Sequence, residues 1–234
     1  MPTSTRLSRM PVRLALLAAL LLLAACGPRR LAVIAPVGDP QGAATELTGR
    51  TELGDPLRIV FGWQLNEGGQ RVRGRGVARI EPPYKARLDL FLDNGETVIS
   101  AAMVEGDLRL PVGAPEDILP PPDLMWGALG VFRPHSGTSL LGAERLEGDG
   151  MRLRYGYADG TELHYEVISG SLRSLELVDR GRVVQRVELA PESGDRYPVE
   201  ARYRNLADFR ELRIERESLQ VVAPFDADIW DPRS

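Results

Sequence analysis

The chain holds one cysteine, Cys26, so neither a disulfide nor a cysteine-based metal site can form within a single copy. Two histidines, His135 and His164, leave little material for imidazole chemistry. Lysine is almost missing: Lys85 stands alone, and arginine carries the remaining positive charge. That bias reads as codon usage in a GC-rich genome and not as recognition chemistry. The formal charge is −4, and beyond residue 25 it is −7 over 209 residues with no basic stretch. This argues against nucleic acid, which selects a positive face. No apolar run reaches the roughly 20 residues that a membrane-spanning helix needs.

What is present begins at the N-terminus. Arg6, Arg9 and Arg13 precede Leu14–Leu23, a run of leucine and alanine only. Its length and flanks are those of a secretion signal. It ends in Leu23-Ala24-Ala25-Cys26, which resembles the lipobox of bacterial lipoproteins. The resemblance implies a diacylglyceryl group on Cys26, cleavage after Ala25 and acylation of the new amine. A plain secretory signal with a chance cysteine is the alternative. Two or more acyl chains anchor a protein stably, at about 0.8 kcal/mol per buried methylene. The expectation is therefore a membrane-anchored protein of the cell envelope, facing the periplasm. Gly27 stands where an enteric-type inner-membrane retention signal would place Asp, which points to the outer membrane.

From Gly27 to Pro56 the chain is rich in Gly, Pro, Ala and Thr, as expected of a tether. A short helix within Ala43–Leu53 is weakened by Gly49 and Gly54. Beyond Pro56 the period becomes two. Leu57, Ile59, Phe61, Trp63 and Leu65 share one strand face, and Asn66-Glu67-Gly68-Gly69 turns the chain into Val72–Ile80. That return strand places Gly74, Gly76 and Ala78 on one side, which suits sharp curvature or close approach by something packed above. Ala86–Asp93 and Glu96–Val104 flank an Asn94-Gly95 hairpin turn, and Leu108–Leu110 follows. Asp123 reads as the N-cap of a short apolar helix, Leu124–Leu129. Strands then resume, roughly over 143–147, 151–157, 161–168, 172–179, 182–189, 197–204 and 209–221.

The pattern predicts a mainly β fold: a strongly bent antiparallel sheet of about eleven strands in meander order, an incomplete, half-open β-barrel with a short helical lid. The organisation is a signal peptide over 1–25, a lipidated N-terminus and tether over 26–56, and one domain over 57–234.

The search for an active site finds little. Glu162, His164 and Glu166 form a row that could hold a metal, but solvated strand faces often produce such rows. His135 sits in a loop that needs no catalytic explanation. No nucleophile elbow or phosphate loop is present, and Asp226, Asp228 and Asp231 lack the glycine and distal glutamate of a calcium loop. The expectation is a protein that is not an enzyme and has no cofactor or metal.

Trp63, the stretch Arg75-Gly76-Val77-Ala78-Arg79-Ile80-Glu81-Pro82-Pro83, and Ala86-Arg87-Leu88-Asp89-Leu90 resemble the opening hairpins of LolA/LolB-type lipoprotein carriers. The insert Asp123–Gly130 and Tyr197-Pro198-Val199-Glu200 fall where that family has a lid helix and a returning strand. The resemblance spans roughly residues 57–222 and implies a half-open barrel with helices on its concave side, holding acyl chains. Two departures are visible: the family's long N-terminal helix is weak or missing, and the protruding apolar loop of its outer-membrane member is replaced by short polar turns.

Two functions follow as expectations. The first is an envelope lipoprotein that binds acyl chains of lipids or lipoproteins in an apolar cavity. Its expected lining is Phe61, Trp63 and Leu65 from one strand and Leu88, Leu90, Leu92 and Met103 from the next two. The lid region adds Met125, Trp126, Leu129 and Phe132, and Leu163 and Tyr165 come from a later strand. Plain core packing competes for each of these. The second is a structural or assembly lipoprotein with a filled core that binds a protein partner at an open sheet edge.

Overall fold

Alternation of apolar and polar residues generates nearly all of this molecule. The computed structural model describes residues 31–115, 118–192 and 196–232. The expected signal segment and Cys26 lie outside the described residues. The compact unit begins at Val33.

The strands are β1 (Val33–Pro36), β2 (Leu57–Glu67), β3 (Gln70–Glu81), β4 (Lys85–Leu92), β5 (Thr97–Val104) and β6 (Asp107–Arg109). After a Pro-rich crossing come β7 (Ser139–Leu146), β8 (Gly150–Gly156), β9 (Glu162–Ile168), β10 (Ser171–Asp179), β11 (Arg182–Pro191), β12 (Pro198–Asn205) and β13 (Arg210–Val221). Helix α1 (Pro40–Thr51) lies between β1 and β2, and α2 (Pro122–Ala128) lies between β6 and β7.

All thirteen strands form one antiparallel sheet with the order β1-β7-β8-β9-β10-β11-β12-β13-β2-β3-β4-β5-β6. The sheet is open: β1 and β6 are its two ends. The expected single meander is therefore two meanders, joined where β13 pairs with β2 from Glu211↔Asn66 to Val221↔Leu57. The break has a local cause. β6 is only three residues long, and the prolines after it carry the chain across the concave side, so β7 does not pair with β6.

The tether expected over 26–56 is also corrected. From Val33 the chain is folded: β1 pairs with β7, and α1 buries Ala44, Leu47 and Thr51. Asp39 caps α1 by accepting from the Gly42 amide at 2.8 Å. The weak or missing N-terminal helix is thus a twelve-residue helix whose single buried leucine is enough to dock it. Six residues, 27–32, separate Cys26 from β1.

The small side of β3 is explained by its neighbours. A Cβ on Gly76 would lie 2.4 Å from the Phe61 ring, and one on Gly74 would lie 1.9 Å from the Phe91 carbonyl oxygen. Trp63 crosses here, its Nε1 donating to the carbonyls of Arg75 at 3.0 Å and Phe91 at 3.1 Å. The close approach comes from the Phe61 ring of β2 at Gly76 and from the β4 backbone at Gly74. Gly76→Ala is expected to cost about 1–3 kcal/mol by overpacking, measured as a shift in the denaturant midpoint at constant m-value. A neutral result would show that the ring moves aside freely.

The convex face is a lattice of arginine–glutamate pairs, such as Arg152–Glu166 and Arg213–Glu200. At one end the C-terminal segment crosses it. Trp230 is buried over β4 and β5, with Lys85 5.6 Å from its ring. Arg87 donates to the Ile229 carbonyl at 2.8 Å, Arg109 to the Trp230 carbonyl at 3.2 Å, and the Phe225 amide to Glu81 at 2.9 Å.

Candidate functional site

An open sheet with an apolar concave face has to cover that face with something. Here three groups share the work. Helix α1 packs beside β7. Phe132, Tyr155 and Tyr165 form an aromatic cluster, with Phe132 4.7 Å from Tyr165 and edge-on to it. Helix α2 lies over β10, β11 and β12.

Helix α2 begins differently from the sequence reading. Pro121 is the N-cap, with no side-chain cap bond, and Pro122 is the first helical residue. Proline suits that position because the missing N–H would have no helical partner anyway. Asp123, expected as the cap, instead accepts a hydrogen bond from the Tyr157 hydroxyl. Burial pushes its carboxyl above the ordinary range, against the opposing pull of that hydrogen bond and of nearby His135 and Arg133. Burial likewise pushes the Tyr157 hydroxyl up, helped by Asp123. At the other end Gly130, at φ +80°, closes the helix with Val131 N–H bonded to the Trp126 carbonyl. Gly127 lets the helix sit close to the sheet: a Cβ there would lie 2.3 Å from Leu175. Trp126 is 1 % exposed and edge-on to Tyr84.

This cover leaves one side of the concave face uncovered. A narrow cleft, open to solvent at its mouth, remains between α2 and strands β2, β3, β4, β12 and β13. Ile59, Phe61, Ala78 and Leu88 form one wall. Val199, Ala201, Tyr203, Leu212 and Ile214 form the other, and Pro120, Met125, Ala128 and Leu129 form the roof. Tyr197, Pro198 and Arg216 complete it, and Arg216 is the one charged residue of the sixteen that line it. The Tyr203 hydroxyl bonds to Gln185 at 3.0 Å, so its polar end is already engaged. The slot thus presents apolar walls with a single charged group among them.

Of the thirteen residues expected to line a cavity, Phe61, Leu88, Met125 and Leu129 line this cleft. Trp63, Leu65, Leu90, Met103, Trp126, Phe132, Leu163 and Tyr165 are buried in the contiguous core, and Leu92 packs against it. None of the thirteen lies on the β12 and β13 wall, although both strands are expected from the sequence. Its alternation was legible, but its position beside β2 depends on a pairing across some 145 residues of chain.

The histidines lie elsewhere. His164 is on the convex face, its Nε2 2.7 Å from Glu162. That contact and Arg154 hold the Glu162 carboxyl below its ordinary range. Glu166 is engaged by Arg152 and Ser174, so the Glu-x-His-x-Glu row is part of the arginine lattice. His135 Nδ1 accepts from the Gly137 amide at 3.0 Å. Among the described residues no cluster of three metal-ligating side chains occurs, and no helix is long and apolar enough to cross a membrane.

No family model matches the sequence, and no curated protein matches it. Solved structures do match the fold. A DUF1329 family protein from Desulfovibrio piger superposes with a TM-score of 0.58 at 11% identity, over 85% of this chain and 98% of the other. A LolA superfamily protein from Nitrosomonas europaea gives 0.55 at 10% identity, over 81% and 96%. A putative outer membrane lipoprotein-sorting protein domain from Vibrio parahaemolyticus gives 0.50 at 13% identity, over 81% and 94%. At such identities the likeness concerns the fold alone, and on that ground the chain has a LolA-like fold: an open antiparallel barrel with short helices in its concavity.

Proposed function

We propose that this protein is a lipid-anchored lipoprotein of the cell envelope, facing the periplasm, that takes an acyl chain of a lipid or lipoprotein into the cleft beneath α2. It is a binding protein and not an enzyme. The observation that carries this reading is the cleft itself: fifteen of its sixteen lining residues are uncharged, in a fold that could have closed over a filled core. The lipobox-like Leu23-Ala24-Ala25-Cys26 supports the anchor, and Gly27 favours the outer membrane. A solved structure of the same fold described as a putative outer membrane lipoprotein-sorting domain supports the cargo class.

The test uses full-length protein extracted from membranes in mild detergent and examined by native mass spectrometry. Wild type is expected to retain an acyl lipid, and Ala201→Trp, which fills the cleft, is expected to lose it at least about tenfold. Equal retention, or none in wild type, overturns the reading. Metabolic labelling with a palmitate analogue checks the anchor, and Cys26→Ser is expected to abolish it.

The edge strand β1 favours a second reading, because Val33 and Ile34 are exposed on it. An exposed apolar edge can accept a strand from a protein partner. A wild type without lipid and a partner cross-linking to β1 would support that reading.

A further inference from the structure

The charge in the cleft breaks the pattern of its strand. Leu212, Ile214 and Arg216 alternate on the concave face of β13, so the third position of an apolar row carries a guanidinium. Directly beyond it the register slips: Arg216 stands opposite Phe61 and Ser218 opposite Val60. The slip leaves Glu217 to pair with Arg75 at 2.7 Å and brings Leu219 back opposite Ile59. The inward arginine is therefore confined to one residue, at the level where β12 begins.

Its surroundings are dry on one side and open on the other. The Arg216 side chain is 11 % exposed, yet its partner Glu192 is 64 % exposed. Nη2 meets Glu192 at 3.3 Å, and Nη1 donates to the Tyr197 carbonyl at 3.3 Å. Placing a cation against apolar walls costs free energy that a nearby anion offsets. The guanidinium fork matches carboxylate and phosphate oxygens two at a time.

Resting on the acyl-chain reading above, we propose that the guest is an amphiphile with an anionic head, and that Arg216 selects it. The head, a carboxylate or a phosphate monoester, takes the place of Glu192 on the Arg216 guanidinium. The chain lies along Phe61, Ile214, Met125 and Leu129. Arg216 is thus the specificity-determining residue of the cleft, and Glu192 occupies its guanidinium between guests.

The test is competition between matched pairs on the full-length protein in mild detergent, read by native mass spectrometry. One pair is palmitic acid and hexadecanol. The other is palmitoyl lysophosphatidic acid and monopalmitoylglycerol. Wild type is expected to favour the anionic member of at least one pair by about tenfold or more, the value of a charge-assisted hydrogen bond. The pair that shows the preference identifies the carboxylate or the phosphate as the natural head. Arg216→Gln is expected to erase the preference while hexadecanol binding persists, which also shows that the variant is folded. Arg216→Lys keeps the charge without the fork and is expected to retain part of the preference. Glu192→Gln is expected to raise affinity for the anion. Equal binding of acid and alcohol by wild type, or a preference that survives in Arg216→Gln, overturns the proposal and leaves the acyl-chain reading intact. Binding of none of the four overturns both.

Discussion

Replacing Trp126 with alanine is expected to cost about 3–5 kcal/mol of folding stability, as for a large aromatic removed from a packed core. A short helix bounded by prolines, Pro120-Pro121-Pro122 and Pro134, with Gly127 inside it and Gly130 just beyond it, has poor intrinsic stability. On that ground α2 reads as a lid, and removing its tryptophan should then cost much less. The packing says otherwise. Leu124, Met125 and Trp126 are buried, Gly127 is pressed on Leu175, and Tyr84 meets the indole edge-on at 6.0 Å. The Arg133 guanidinium stacks 3.6 Å from the Tyr84 ring and closes the site from outside. What the helix lacks in propensity it gains in contacts.

One detail of the site works against Trp126. Among the described residues its Nε1 has no hydrogen-bond partner, and a buried unpaired donor costs about 1–3 kcal/mol. Trp126→Phe removes that donor and keeps most of the ring, so its loss should stay under about 1.5 kcal/mol. Urea unfolding of the two variants separates the explanations. A loss near 1 kcal/mol for Trp126→Ala would mean that α2 is a loosely held lid after all. A loss at the packed level places any opening movement in the Met125–Leu129 side of the roof, where the cleft already is.

The legible part of this fold is the part written in period two. Leu57 to Leu65, Leu88 to Leu92 and Leu163 to Val167 alternate so regularly that face, register and turn positions follow from them. What escaped was either short or non-local. Strand β1 is four residues ending in proline, and α1 buries one leucine among small and polar residues. Neither carries a signal above that of a linker. The junction of β13 with β2 is invisible to any window, and half of the cleft depends on it. Phe61, Leu88, Met125 and Leu129 are therefore legible as cleft residues, whereas Ala201, Leu212 and Ile214 are not. Arg216 could have been noticed, because Leu212-Arg213-Ile214-Glu215-Arg216 sets a charge where the alternation asks for an apolar residue.

Asp89→Ala is expected to cost about 3–5 kcal/mol, which is unusual for a residue on the solvent-facing side of a strand. Asp89 lies beneath the convex surface, its side chain 5 % exposed. Arg87 Nε donates to both carboxylate oxygens at 3.0 and 3.1 Å, Ser100 donates at 2.7 Å, and Arg79 donates from the neighbouring strand. Removing the carboxylate leaves two part-buried guanidinium groups facing each other without their shared anion, and repulsion adds to the lost bonds. The damage should spread, because Arg87 also holds the Ile229 carbonyl and so the C-terminal segment. Trp230 should then become accessible, seen as a red-shifted emission and as faster trimming by a carboxypeptidase. Asp89→Asn keeps one acceptor and should lose less. Arg73→Ala is the control: Arg73 and Asp93 are both exposed and 3.6 Å apart, and such surface pairs contribute about 0–1 kcal/mol. If Asp89→Ala costs no more than Arg73→Ala, the carboxylate is an ordinary member of the surface lattice and the C-terminal segment is held independently of it.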